Sequence, residues 1–253
     1  MVGPILESME YPTAWYHQNR RIHSENIMVK GVIMNKELKS KKWEETAKKM
    51  QACHLSLLNP DAANTADWRD AFETLVKAIK EERSYNPAFA PEVADLDEET
   101  GNTYGFYDIL EEYFDFLEDK GDWDDVIASA EEMISLFKWE KKLPSDYMFR
   151  KGNALEKARR LNDAEDFGEY WLEHYPQDLY AAASNVFIKA EIGKLDEAEA
   201  ITKKYLRDDL MCDDDSDSFF MAAYRLFELT NDINAKQRIE KKIAEYQEMK
   251  GNL

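Results

Sequence analysis

Glycine, proline and cysteine are all scarce in this sequence of 253 residues. Nine glycines and seven prolines are too few for a sheet-rich protein with many tight turns, and no glycine-rich phosphate-binding loop is present. Two cysteines, Cys53 and Cys212, cannot build a disulfide framework, and they lack the spacing of metal ligands. Such thiols are typical of a reducing compartment, so we expect a cytoplasmic protein.

Long apolar runs are also absent from the sequence. No stretch approaches the roughly 18 apolar residues that cross a bilayer. The first residues, MVGPILESMEYP, contain neither a basic start nor a sustained apolar core. The sequence therefore predicts neither a membrane span nor a secretory signal.

Basic residues are far outnumbered by acidic ones. There are 33 Lys and Arg against 52 Asp and Glu, which gives a net charge of −19. A protein with this charge is repelled by nucleic-acid phosphates and by anionic membrane surfaces. Residues 1–59 are the exception, with nine bases and six acids. We expect a protein or peptide as the partner, and neither nucleic acid nor membrane.

Apolar residues at helical spacing are abundant. From residue 41 onward they recur every three or four positions, and no segment alternates as a strand does. This pattern predicts an all-α fold of about ten helices that pack as antiparallel hairpins. We expect one helical domain over residues 41–253, a poorly patterned arm over residues 1–40, and an insertion or loop at about residues 84–103.

A motif recurs where one predicted helix of a hairpin turns into the next. A turn residue is followed by polar residues and then by a small or β-branched residue. The four instances are Gly121–Val126, Arg160–Ala164 (shortened by one residue), Gly193–Ala198 and Asn231–Ala235. The small or β-branched residues are 38, 34 and 37 positions apart. A period near 34 with two helices per unit is typical of stacked helical repeats.

The segment Gly193-Lys-Leu-Asp-Glu-Ala-Glu-Ala-Ile resembles the turn and second helix of a tetratricopeptide repeat. In the preceding unit, Gly152, Ala164 and Pro176 occupy the small, alanine and proline positions of that family. The resemblance is best over residues 145–212 and covers about two thirds of the chain. It implies a right-handed superhelix of hairpins whose first helices line a concave groove. An irregular helical bundle is the alternative.

The family register also implies which residues line that groove. The first unit contributes Asp108, Glu111, Glu112, Asp115 and Glu118, and the next contributes Phe149, Arg150, Asn153 and Lys157. The last two units contribute Tyr180, Ser184, Phe187, Phe220, Met221, Tyr224 and Phe227. The acidic end favours Lys or Arg on a partner, and the aromatic end favours apolar anchors. Alternatively, the acids serve solubility, and Phe220, Tyr224 and Phe227 pack against the C-terminal helix.

The sequence contains no recognisable catalytic or metal motif. Its four histidines form no HExxH or similar pair, and Cys53 and His54 are neighbours that point to different faces of a helix. Residues 95–106 resemble a calcium loop, but the glycine is at position 7 and Phe106 is at position 12. We therefore expect no enzyme activity, no metal and no cofactor.

These features together predict a non-catalytic module that binds a protein or peptide in its groove. Two alternatives stay open. One is a regulatory peptide-sensing domain that acts with a separate effector protein. The other is an oligomeric structural component, although the polar face of residues 232–249 favours a capping helix and a monomer.

Overall fold

The computed structural model describes residues 41–59, 63–102 and 104–251, and all of its regular structure is helical. Eleven helices lie in these ranges, and the ranges contain no strand. The helices are α1 (Lys41–Ser56), α2 (Thr65–Tyr85), α3 (Asp95–Glu99), α4 (Phe106–Lys120), α5 (Trp123–Leu136), α6 (Ser145–Lys157), α7 (Leu161–His174), α8 (Leu179–Glu191), α9 (Leu195–Tyr205), α10 (Asp217–Leu229) and α11 (Ile233–Gly251). None of them combines the length and apolarity that a bilayer crossing requires. The expected arm, residues 1–40, lies outside the described residues.

Four turns between consecutive helices share one backbone conformation. Each contains a residue with positive φ, whose N–H donates to a carbonyl three residues earlier. The next residue donates to a carbonyl five residues earlier, at 2.8–2.9 Å. This pair of bonds satisfies the last carbonyls of the preceding helix. The residues with positive φ are Gly121, Arg159, Gly193 and Asn231.

The turn between α6 and α7 differs from the sequence-based expectation. Its left-handed residue is Arg159, not Arg160. Ala164 therefore follows the turn residue by five positions, as Val126 follows Gly121, so the predicted shortening of this motif was wrong. Val126, Ala164 and Ala198 are fully buried, so these small or β-branched residues of the motif lie in the core.

The helices pack in an order that follows the chain. Neighbouring helices contact each other in the pairs α1–α2, α4–α5, α6–α7, α8–α9 and α10–α11. In addition, α6 contacts α8, and α8 contacts α10, so these three helices form one layer. Helices α7 and α9 both pack against α8. The layer of α6, α8 and α10 places the predicted groove residues of three units next to one another.

The described part of the predicted insertion or loop, residues 84–102, packs against the helices. They include the short helix α3, and Phe89, Ala90, Val93 and Leu96 belong to the main core. Removing these apolar side chains from water is energetically favourable, and this stabilises the segment against the helices. Of the two readings, insertion or loop, the described residues of this segment fit an insertion that packs in the core.

Two polar side chains attach this inserted segment to the helices around it. The guanidinium of Arg83 donates to the carbonyls of Phe89, Ala90 and Leu136 and lies 5.1 Å from the centre of the Phe137 ring. The carboxylate of Asp97 accepts hydrogen bonds from the backbone N–H groups of Phe106 and Tyr107, at 2.7 and 3.1 Å. Asp97 thus satisfies the first amides of α4 from outside that helix.

Candidate functional site

The residues expected to line the groove lie on α4, α6, α8 and α10, but they differ in how far they reach the surface. The carboxylates of α4 contact α6 through Arg150, and α6, α8 and α10 follow one another in a single layer. We call this combined face the candidate groove. Its acidic end is α4, and its aromatic end is the layer of α6, α8 and α10.

Arg150 occupies the middle of the acidic end. Its side chain is only 2% exposed, and it forms ion pairs with Asp115 and Glu118, both at 2.7 Å, and with Glu111 at 3.2 Å. The guanidinium also lies 5.4 Å from the centre of the Phe114 ring. The guanidinium of Arg150 is therefore paired with carboxylates of the same chain. The prediction that Arg150 contacts a partner was wrong. The buried pairing arises because Arg150 and the three carboxylates lie on facing helices.

The other two carboxylates of α4 have different surroundings. Glu112 lies 2.5 Å from Nδ1 of His54 at the end of α1. Asp108 is exposed in the first turn of α4. Sequence reasoning did not foresee the contact with His54, because residues 54 and 112 are far apart along the chain. The acidic end is thus partly neutralised by side chains of the same chain.

At the aromatic end, Phe149 of α6 and Tyr180 of α8 form an edge-to-face pair with ring centroids 5.8 Å apart. Tyr180 also donates from its hydroxyl to the carbonyl of Asp214, at 3.1 Å. Both rings are half-buried. Phe187 lies two helical turns after Tyr180 and therefore on the same side of α8. Asn153 and Lys157 extend this surface along α6, and burial lowers the pKa of Lys157.

Ser184 is not available on this surface. It is buried because α6 approaches α8 at Gly152, where a Cβ atom would lie 2.8 Å from Ser184 Oγ. The absence of a side chain at Gly152 allows this contact. The expectation that Ser184 faces a ligand is therefore corrected: it lies in the contact between two helices.

The last helix of the layer, α10, contributes fewer residues than expected. Phe220 and Phe227 of α10 are buried in a cluster with Ala235, Ile239 and Tyr246 of α11. The prediction that Phe220 and Phe227 line the groove was wrong. The alternative, that they pack against the C-terminal helix, is confirmed. The half-buried residues that remain on α10 are Met221 and Tyr224. The ammonium of Lys236 lies 4.7 Å from the centre of the Tyr224 ring.

Asp178 positions Tyr180 and was missed by the sequence analysis. It is buried, and its carboxylate accepts hydrogen bonds from Ser145 Oγ at 2.7 Å and Trp171 Nε1 at 3.0 Å. It also accepts from the backbone N–H of Tyr180 at 2.9 Å. An Asp immediately before a helix is a capping signal that sequence could have revealed. Its links to α6 and α7 depend on the packing of those helices.

A second buried cation lies among carboxylates away from the groove. Lys189 contacts Glu165, Glu169 and Glu197 at 2.7–2.9 Å. Burial alone would lower the pKa of Lys189, but the hydrogen bonds that its ammonium donates to these three carboxylates outweigh burial and raise the pKa. The three carboxylates have oxygens within 4.8 Å of one another, and the ammonium already lies among them. We therefore interpret this cluster as an internal contact between α7, α8 and α9.

No family model, no curated protein and no solved structure matches this chain. The geometry of the candidate groove is therefore the basis for interpreting its chemistry. Half-buried aromatic and Met side chains bind apolar groups with little loss of their own conformational entropy. Carboxylates at the other end attract cationic groups. The arrangement fits recognition of a chain with both kinds of residue.

Proposed function

We propose that this protein is a non-catalytic interaction module that binds a protein or peptide segment along the candidate groove. The observation that carries the proposal is the single layer of α6, α8 and α10, which brings together half-buried residues from three helices. These residues are Phe149, Asn153, Tyr180, Phe187, Met221 and Tyr224. The proposed architecture is a tetratricopeptide-like right-handed superhelix, in keeping with the shared turn geometry.

The proposed partner segment carries basic and apolar residues. Its basic side chains bind near Asp108 and the other carboxylates of α4, and its apolar side chains contact Phe149, Tyr180 and Met221. Rim charges of this kind mainly accelerate association, whereas the partly buried rings provide most of the affinity. Affinity is therefore expected to depend more on the aromatic end than on the acidic end.

Selection from a displayed random peptide library tests this function. A selected peptide is synthesised, labelled, and titrated with wild type, Met221→Asp and Tyr85→Asp by fluorescence anisotropy. We expect Met221→Asp to weaken binding about 30-fold, because a hot-spot change costs about 2 kcal/mol. Tyr85 is 85% exposed at the end of α2, outside the groove, so Tyr85→Asp is the matched control.

Two results would argue against the proposal. One is the absence of any enriched peptide, and the other is equal binding by wild type and Met221→Asp. Circular dichroism melts of both variants show whether a change in binding reflects a change in folding. An Asn153→Arg variant changes the same face but removes no apolar contact. Comparing it with Met221→Asp separates loss of the apolar contact from a general change of that face.

A further inference from the structure

The acidic end of the groove keeps a negative charge although Arg150 lies in it. Three carboxylates surround one guanidinium, so the formal charge of these four side chains is −2. Asp108 and Glu112 add two further carboxylates to the same helix, and Glu112 contacts His54. Because these charges lie along one helix of a protein with a net charge of −19, a cationic segment is attracted there.

Residues 11–36 of the same chain have the complementary chemistry. Their four bases and single acid, Glu25, give this segment a charge of +3. Residues 41–253 contain 28 bases and 48 acids, a net charge of −20. The bases of the segment are Arg20, Arg21, Lys30 and Lys36. Residues 27–34 read IMVKGVIM, so the segment also contains the apolar residues that the aromatic end accepts.

The length of the chain allows this segment to reach the groove without a second molecule. The ring of Trp43, near the start of α1, lies with its centroid 5.9 Å from that of Phe106, where α4 begins. Lys30 precedes Lys41 by eleven residues, which span at most about 38 Å when extended. Helix α4 is about 22 Å long. Lys30 can therefore reach each carboxylate of α4.

We infer that residues 11–36 bind in cis at the acidic end of the groove and extend toward Phe149, so that an external segment must displace them. This inference rests on the proposed function, because it concerns regulation of the same groove. A tether of this length gives an effective concentration of about 1 mM. With an intrinsic Kd of about 0.1 mM, the tethered segment weakens binding of an external peptide roughly tenfold.

Zero-length carbodiimide cross-linking of the full chain tests where the segment binds. We expect amide links from Lys30 or Lys36 to Asp108, Glu111 or Asp115, identified by mass spectrometry. An equal mixture of unlabelled and ¹⁵N-labelled chains distinguishes the source of each link. Links within one isotopic species support binding in cis. Mixed links would assign the surface to a second copy, and no link to α4 would remove the inference.

A peptide titration measures the occlusion. A labelled peptide of residues 11–36 is titrated with the full chain, with R20E/R21E/K30E, and with the matched control K77E/K203E/K241E. The control lysines are exposed on α2, α9 and α11 and undergo the same change in charge. We expect the first variant to bind the peptide about tenfold more tightly than wild type, and the control to match wild type. Equal affinities for wild type and R20E/R21E/K30E would overturn the inference.

Failure of this inference differs from failure of the proposed function. A library-selected peptide that binds wild type and R20E/R21E/K30E equally, but is weakened by Met221→Asp, leaves a functional groove with no segment bound in cis. If neither chain enriches any peptide, the proposed function fails, whatever the cross-links show.

Discussion

The two halves of the described chain build their cores from different residues. In α1–α5 the core is aromatic: Trp68 stacks on Tyr113 and Phe116, each with ring centroids 5.8 Å apart. In α6–α11 alanine is more frequent in the core, beside the buried rings of Trp171, Phe219 and Phe220, and the buried alanines are Ala154, Ala164, Ala181, Ala182, Ala183, Ala198, Ala222, Ala223 and Ala235. Large rings separate helices, whereas alanine and glycine allow close contact.

This difference bears on the candidate groove. Helices α6 and α8 approach closely at Gly152, and α8 also contacts α10. On this layer Phe149, Tyr180 and Phe187 are half-buried. In α1–α5 the aromatic rings lie in the core, and the inserted segment that contains α3 packs among them. If this comparison is correct, shortening a buried side chain should reduce stability most in α1–α5. Enlarging a buried residue should reduce stability in α6–α11.

Trp68→Ala should have the largest effect on stability. Trp68 is fully buried in the aromatic core, and removal of such a ring costs about 4 kcal/mol in the free energy of unfolding. Tyr85→Ala, at an exposed aromatic residue of the same helix, should cost less than about 0.5 kcal/mol. Urea denaturation followed by circular dichroism measures both. A small loss for Trp68→Ala would show that the first half does not depend on its rings.

Arg83→Met should release the inserted segment. It removes the donors to three carbonyls, and the acceptors left unpaired should reduce stability by about 3 kcal/mol. Arg69→Met removes an ion pair between Arg69 and Asp125 at the surface and should cost about 0–1 kcal/mol. Hydrogen exchange should show faster exchange at residues 89–97 only for Arg83→Met. Unchanged exchange there would contradict the role of Arg83.

Gly152→Ala tests close packing in the second half. The added Cβ would lie 2.8 Å from Ser184 Oγ, so the Ser184 hydroxyl must rotate or α6 and α8 must move apart, and we expect a cost of about 2 kcal/mol. Adding Ser184→Ala removes the hydroxyl oxygen and should recover part of that loss. Thermal melts of the two single variants and the double variant measure the coupling. Additive effects would mean that the two helices do not depend on this contact.

Asp217→Asn should have the smallest effect, and the effect should depend on pH. Burial raises the pKa of Asp217, the first residue of α10, to about 6, although hydrogen bonds from Ser218 oppose the shift. A raised carboxyl pKa means that the folded state loses stability as the pH rises from about 4 through 6. The Asn variant cannot ionise, so we expect it to be more stable than wild type by about 1 kcal/mol at pH 7.5.

The pH dependence supplies the control for Asp217. The advantage of Asp217→Asn should disappear near pH 4, where the carboxyl of the folded wild type is protonated. Asp215→Asn, at an exposed position of the same loop, should show no such trend. Chemical denaturation at pH 4.0, 5.5 and 7.5 measures the difference. A constant difference across this range would rule out titration of Asp217 as its cause.

Much of the fold could be predicted from local patterns in the sequence. The all-α class was predicted from helical spacing, and Gly121 and Gly193, predicted as turn residues, end helices with positive φ as their residue type suggests. Arg159 escaped prediction because an arginine with positive φ has no sequence signature. The core role of residues 89–96 was also missed, because their burial depends on helices distant in sequence.

The candidate groove was predictable only in outline. The resemblance to a tetratricopeptide repeat implied that Phe149, Tyr180 and Met221 line a groove, and all three are partly exposed. The same spacing could not show that Arg150 pairs with carboxylates of α4, or that Phe220 packs toward α11. Each of these outcomes depends on which helix lies opposite.

The sequence by itself determined the helical class, the turn positions marked by glycine and the small residues at the close contacts. Those features arise from interactions within a few residues, and therefore leave local signals. Only the tertiary structure decided which charges are paired, which aromatic residues are covered and how residues 84–103 enter the core. Burial and ion pairing arise between residues that are far apart along the chain, so composition and periodicity do not encode them directly.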